Sequence, residues 1–178
     1  GGEKKQWETA EESILDENCY LQVIKKKTAT LLSACTEIGA ISSGASAEVI
    51  ALCREFGEYL GYCFQIKDDI FDYFKEANIG KPTGNDIREG KVTLPLLYAL
   101  RQGWGAARYL DMILRKDFAA ENVDSLIEFA KANGGIEYAE ARMKEYHDKA
   151  VDVLLRLPES EARISLIQLA DYIMTRSK

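Results

Sequence analysis

Apolar residues return every three or four positions along almost the whole chain, and the alternation of a half-buried strand is missing, so the sequence predicts a nearly all-α protein. A first helix is expected to begin near Thr9, with Glu11 and Glu12 in its opening turn, followed by an amphipathic stretch over about 19–38. There Leu21, Ile24, Thr28, Leu31 and Cys35 advance by threes and fours and define one face, with Thr28 in its middle. After the breaker Ile41-Ser42-Ser43-Gly44-Ala45, a long helix is expected over about 47–74, where Val49, Leu52, Cys53, Phe56, Leu60, Phe64 and Phe71 keep the helical rhythm. Gly80, Pro82, Gly84 and Gly90 mark 78–90 as a loop. Pro95 then falls in the first turn of a helix over 93–102, where its missing N–H costs nothing. Further helices are expected over 106–114, 121–132, 135–157 and 159–173. No repeat or linker interrupts this series, so the expected organisation is a single helical domain over 1–178, packed as an antiparallel bundle.

Composition narrows the function classes. Of the 178 residues, 47% are hydrophobic and 29% charged, as in a soluble globular protein, and no apolar run approaches the ~20 residues that span a bilayer. The net charge of −6 argues against a nucleic-acid partner, because affinity for a phosphate backbone rests on a basic surface. The four cysteines form no C-x-x-C pair and have no accompanying histidine that would suggest zinc. They read as reduced, mostly buried thiols, and with the polar opening Gly1-Gly2-Glu3-Lys4-Lys5-Gln6 they imply a cytoplasmic location. The single histidine, His147, falls among Met143, Ala150, Val151 and Leu154 and reads as a packed helix residue. Tyr59, Tyr62 and Tyr73 read as core packing around the long helix.

Candidate chemistry concentrates at the end of that helix, where Asp68, Asp69 and Asp72 place three carboxylates within five residues. At roughly 100° per residue, Asp68 and Asp72 are expected ~40° apart on one face, with Asp69 beside them and Gln65 in the same arc. Leu60, Phe64 and Phe71 occupy the opposite, apolar arc, and Gly61 projects no side chain. Like charges at this spacing repel, and a cation relieves the repulsion. Carboxylate oxygens suit hard ions, and Mg²⁺ keeps several waters and is completed by substrate phosphates, so a D-D-x-x-D face suits Mg²⁺–diphosphate. The loop beyond supplies a basic complement: Lys81 and Lys91 can neutralise diphosphate oxygens, and Asp86 can hold a metal-bound water or fix a lysine. Taken alone, the helix face reads more readily as a solvated acidic face, and the loop as a charged surface turn.

The string Tyr62-Cys63-Phe64-Gln65-Ile66-Lys67-Asp68-Asp69-Ile70-Phe71-Asp72 followed by Gly80-Lys81-Pro82-Thr83-Gly84-Asn85-Asp86-Ile87-Arg88-Glu89-Gly90-Lys91-Val92-Thr93-Leu94-Pro95 closely resembles the second aspartate-rich region of trans-polyprenyl diphosphate synthases. Upstream, Gly2-Glu3 with Gln6 and the pair Lys27-Thr28 resemble two further signatures of that family. Downstream, Leu157-Pro158-Glu159-Ser160 and Leu169-Ala170-Asp171-Tyr172-Ile173 resemble its usual ending, so the likeness spans the chain. It implies the helical isoprenoid synthase fold and the condensation of an allylic diphosphate with isopentenyl diphosphate, with Mg²⁺ as cofactor. It implies Asp68 as a direct metal ligand, Asp69, Asp72 and Asp86 acting through metal-bound water, and Lys27, Lys81 and Lys91 on diphosphate. Lys27, Thr28, Gln65 and Asp68 would form the catalytic set, Thr28 and Gln65 facing the reacting allyl group and Phe64 lining the isopentenyl pocket. A homodimer formed through the helices around 9–38 is implied as well.

The family carries a first aspartate-rich motif, and its isopentenyl-binding arginines, upstream of this segment, and no second D-D-x-x-D occurs here. The expectation is therefore the C-terminal portion of a longer synthase, inactive by itself. The alternative is a non-catalytic, synthase-like regulatory or scaffold subunit. The stretch 90–95 resembles the long-chain, octaprenyl or solanesyl type that makes quinone side chains more than the farnesyl type.

Overall fold

A computed structural model describes residues 10–75 and 83–177. Lys81, Gly80 and Pro82 lie outside the described residues, as do Gly2, Glu3 and Gln6. Among the described residues every regular element is helical, so the chain adopts the all-α class that its periodicity predicts. A helical turn at 10–14 is followed by α1 (Glu17–Ile24), a π-helical turn (Lys25–Ala29), α2 (Thr30–Ser42) and α3 (Ala47–Phe71). Then come α4 (Asn85–Arg88), α5 (Leu94–Gln102), α6 (Ala106–Leu114), α7 (Ala120–Ala132), α8 (Gly135–Leu155) and α9 (Glu161–Thr175). No described helix is long and apolar enough to cross a membrane. Residue packing divides the chain into two compact units.

The first unit comprises the described residues up to Tyr20 together with Asp69–Ala139. Asp16 starts α1 by accepting the amide of Asn18 at 2.9 Å, and it also accepts from the Cys19 thiol at 3.3 Å. A core of Tyr73, Ile87, Leu96, Leu100, Val123 and Leu126, with their buried neighbours, joins α4 to α7. At the start of α5, Thr93 is extended and its side chain does not cap the helix. The buried Tyr73 hydroxyl takes that place: it bonds Thr93 Oγ1 at 2.9 Å and accepts the Leu96 amide, an otherwise unpartnered first-turn donor, at 3.2 Å. The loop expected over 78–90 contains the single helical turn α4, whose cap is described below.

The second unit comprises Leu21–Asp68 and Glu140–Lys178. Here the π-turn changes the face that the sequence predicts. A π-turn takes in one more residue than an α-turn, so positions after it rotate by about 100°. Ile24 is buried as expected, but the buried positions then run through Ala29, Ser33 and Ala40, while Leu31 is 63% exposed and Cys35 lies on the surface. Of the cysteines expected to be mostly buried only Cys63 is, Cys19 and Cys53 being half-buried. Val23, Ile38 and Ile41 are exposed with Leu31. The core is built from Leu52, Phe56, Leu60, Cys63 and Ile66 of α3 with Met143, Ala150 and Leu154 of α8. The Tyr62 and Tyr146 rings pack together, tilted by 31° with centroids 4.8 Å apart. His147 is tucked between Asp148 (3.0 Å) and Asp171 (2.6 Å), which ties α8 to α9.

Candidate active site

The helix α3 carries Phe64, Gln65, Asp68 and Asp69 in its last two turns and stops at Phe71. Asp72 has left the helix: its amide reaches back three residues, to the Asp69 carbonyl, at 3.3 Å. The two units hold these residues in different ways.

In the first unit, the Asp72 carboxylate accepts the amides of Asn85 (3.0 Å) and Asp86 (3.1 Å), one on each oxygen, while its carbonyl accepts the Gly84 amide at 2.9 Å. This caps α4 from thirteen residues upstream. Gly84 is required at this junction because its φ is +76° and a Cβ there would lie 2.5 Å from Val123 Cγ1. Asp69 is only 6% exposed, and its carboxylate accepts a hydrogen bond from the Tyr20 hydroxyl. The hydroxyl end of Tyr20 is enclosed, and burial first, then the Asp69 charge, push its phenol well above the ordinary 10.0. Lys91 is exposed and pairs with Glu89 at 2.7 Å. That bond, with the charges of Glu89, Asp86 and Asp69 behind it, holds the ammonium above its ordinary 10.5.

In the second unit, Asp68 accepts from Arg176 Nη2 at 2.7 Å, and the same guanidinium lies 4.5 Å from the Phe64 ring centroid, so Phe64, expected on the arc opposite the aspartates, shares the side of Asp68, four residues on. The Arg176 side chain is 16% exposed and that of Asp68 41%. Thr28, in the π-turn, donates its hydroxyl to Gln65 Oε1 at 2.9 Å, joining two residues that lie 37 apart in sequence. Lys27 is exposed beside it. The buried thiol of Cys63 is pushed up to about 11, chiefly by burial.

Thr28 and Gln65, expected to act together, are thus brought into contact. Among the described residues, no three His, Cys, Asp or Glu side chains converge as a ready-made cation cage. Each aspartate has a protein donor: Arg176 on Asp68, Tyr20 on Asp69, and two amides on Asp72. Neither Tyr20 nor Arg176 was singled out in the sequence, since each reaches its aspartate across a long separation, 49 and 108 residues, that no local pattern encodes.

The stretch 1–130, which includes every candidate residue from Lys27 to Lys91, matches the sequence model of the polyprenyl synthetase family. The chain belongs to that family. Among polyprenyl synthetases it is 39% identical over 158 residues to heptaprenyl diphosphate synthase component 2 of Bacillus subtilis, covering 88% of this chain and 45% of that protein. It superposes on a crystal structure of geranylgeranyl pyrophosphate synthase from Bacteroides thetaiotaomicron with a TM-score of 0.83 and 44% identity, covering 91% of this chain and 53% of that one. The polyprenyl synthase of Caulobacter crescentus, solved with calcium and isoprenyl diphosphate, gives a TM-score of 0.83 at 31% identity, covering 96% and 56%. The chain therefore spans about half the length of these polyprenyl synthetases.

Proposed function

We propose that this chain is the C-terminal portion of a trans-polyprenyl diphosphate synthase that joins an allylic diphosphate head-to-tail to isopentenyl diphosphate. The carrying observation is the family match over 1–130, because it takes in the aspartates, the lysines and the Thr28–Gln65 pair together. A divalent cation suits the donor set: the aspartates offer hard oxygen ligands, and on Asp68 the Arg176 guanidinium already stands as a cation. Asp68 would hold Mg²⁺ directly, and Asp69, Asp72 and Asp86 through its waters. Bound there, Mg²⁺ neutralises charge that develops on departing diphosphate.

The chain's own residues would do the rest. Lys27, Lys81 and Lys91 grip diphosphate oxygens as the allylic C–O bond breaks and its electron pair leaves on diphosphate. Positive charge then spreads over the allyl carbons. The Thr28 hydroxyl gives its hydrogen to Gln65, which leaves the Thr28 oxygen lone pairs to face that charge, an arrangement fixed before reaction. The isopentenyl double bond, lying against Phe64, attacks the allylic carbon to form the C–C bond, and loss of a proton from the neighbouring carbon restores a double bond.

The proposal includes a product of the long-chain type, on the strength of residues 90–95, and a cytoplasmic location, in keeping with four free cysteines. It also includes a homodimer through α1 and α2, where Val23, Leu31, Ile38 and Ile41 leave an apolar surface exposed. Sedimentation across a range of concentrations tests that: a monomer throughout would refute it. The Bacillus subtilis relative is named as component 2, so a second protein on the same surface is the other outcome to look for. For the activity, this chain and the full-length protein are each incubated with Mg²⁺, farnesyl diphosphate and labelled isopentenyl diphosphate. Elongated product from the full-length protein alone is expected. Product from the chain alone would overturn the half-site reading, and none from either would overturn the synthase reading.

A further inference from the structure

Helix α3 carries two buried glycines four residues apart, Gly57 and Gly61, both in ordinary helical conformation. Glycine is a poor helix former, so two in one long helix point to a need for space. A Cβ on Gly61 would lie 2.5 Å from Ala29 Cα, 3.0 Å from Ala29 Cβ and 3.1 Å from Ala29 N. One on Gly57 would lie 2.6 Å from the Leu32 carbonyl oxygen and 2.8 Å from Ser33 Cα, and would strike Thr36 Oγ1. The backbone of α3 therefore touches the backbone of the π-turn at one glycine and that of α2 at the other.

Ala29 closes the π-turn and is 0% exposed. The widened turn is held by the Thr30 amide on the Lys25 carbonyl and by the Thr30 hydroxyl on the same oxygen at 2.6 Å. Thr28 immediately precedes Ala29, and Gln65 lies one turn beyond Gly61 on the same side of α3. The bare backbone at Gly61 and the Thr28–Gln65 hydrogen bond are thus neighbouring contacts of one seam.

We propose that Gly61 is a positioning residue, its missing side chain letting the π-turn rest on α3 so that Thr28 meets Gln65. This rests on the reading that Thr28 and Gln65 face the reacting allyl group. Restoring ordinary contact of 3.4 Å from 2.5 Å moves Ala29 outward by nearly 1 Å (3.4 − 2.5 = 0.9). A 2.9 Å hydrogen bond stretched by that much is lost, and a displacement of about 1 Å at a reacting centre lowers a rate by up to ~100-fold. Gly57 is the matched control, since Gly57→Ala creates the same class of clash but against Leu32, Ser33 and Thr36.

The test uses the full-length protein and compares Gly61→Ala, Gly57→Ala, Thr28→Ala and the double variant Gly61→Ala with Thr28→Ala, by melting temperature and by single-turnover rate with farnesyl and isopentenyl diphosphates. Similar losses of melting temperature are expected for both glycine variants, with turnover lowered ~10–100-fold for Gly61→Ala and within about twofold of wild type for Gly57→Ala. In the Thr28→Ala background, Gly61→Ala should cost nothing further. Equal rate losses for the two glycine variants, or a Gly61 effect that adds in full to that of Thr28→Ala, would overturn the proposal. A slow Thr28→Ala beside an unimpaired Gly61→Ala would overturn it alone, whereas an unimpaired Thr28→Ala would overturn the functional reading beneath it. Ala29→Ser adds one atom on the other side of the contact and is the milder variant should Gly61→Ala fail to fold; its rate should lie between wild type and Thr28→Ala, and a wild-type rate would contradict the proposal.

Discussion

Replacing Asp72 by alanine separates what this carboxylate does for the fold from what it does for a cation. Its two oxygens accept the amides of Asn85 and Asp86 at 3.0 and 3.1 Å, so alanine removes two charge-assisted hydrogen bonds from the α4 N-terminus and leaves the Gly84 amide on the Asp72 carbonyl. A hydrogen bond to a charged group contributes ~1.5–3 kcal/mol and a helix cap ~0.5–2. Asn85 is exposed, so water replaces part of its bond, and the sum settles near 2 kcal/mol. With a urea slope of ~2 kcal/mol/M, the unfolding midpoint should fall by about 1 M. Asp72→Asn should lose about half as much, since the amide oxygen still accepts one N–H while its NH₂ cannot accept the other. Urea titration without metal, paired with hydrogen exchange at the Asn85 and Asp86 amides, checks both points. A midpoint within about 0.2 M of wild type, with unchanged exchange at those amides, would refute the capping role.

Three further outcomes are expected. Tyr73→Phe deletes the hydroxyl that caps α5 and leaves the buried Leu96 amide and Thr93 hydroxyl without that partner, so it should cost about 1–3 kcal/mol in chemical denaturation; a loss under ~0.5 would contradict this. Asp16 titrates below its ordinary 3.8, first because of its bond with Cys19 and then that with the Asn18 amide, so its contribution is complete above that value and is lost as pH falls through the lowered one. Asp16→Asn should therefore lose stability less steeply than wild type as pH falls below the ordinary 3.8, and an unchanged acid slope would count against it. Arg176→Gln removes a guanidinium from the carboxylate proposed to bind metal, and a partly exposed pair of this kind is worth ~0–1 kcal/mol, so Mg²⁺ should bind up to about fivefold more tightly by calorimetry. Weaker binding would mean that Arg176 supports the site and does not compete for it.

Much of the helical frame was legible because its signal is local. The 3.6-residue rhythm of α3, and Pro95 at the start of α5, locate helices without any knowledge of their partners. The π-turn was not, because Lys25-Lys26-Lys27-Thr28-Ala29 continues a helical pattern and nothing in it shows where one more residue is taken in. The turn is closed by the Thr30 amide and hydroxyl on the Lys25 carbonyl and packs on the bare Gly61 backbone, contacts that no local pattern announces, and Leu31 and Cys35 face outward where an uninterrupted helix would bury them. The helix α4 was hidden inside a glycine-rich stretch for a similar reason, its cap being Asp72 and not a residue of its own. At the candidate site, residue types and spacing selected the aspartates, Thr28 and Gln65. The side chains that hold Asp68 and Asp69, Arg176 and Tyr20, are single residues brought in by tertiary packing.

The most direct test of the synthase reading measures prenyl transfer by the full-length protein and by its Asp68→Ala variant, with Mg²⁺, farnesyl diphosphate and labelled isopentenyl diphosphate, resolving products by length. Elongated product from the wild type and a rate at least ~100-fold lower for a variant that still folds are expected, because alanine removes the direct ligand for the cation that neutralises the departing diphosphate. Equal rates from the two proteins would contradict the assigned site, and no elongation by either would contradict the reaction itself.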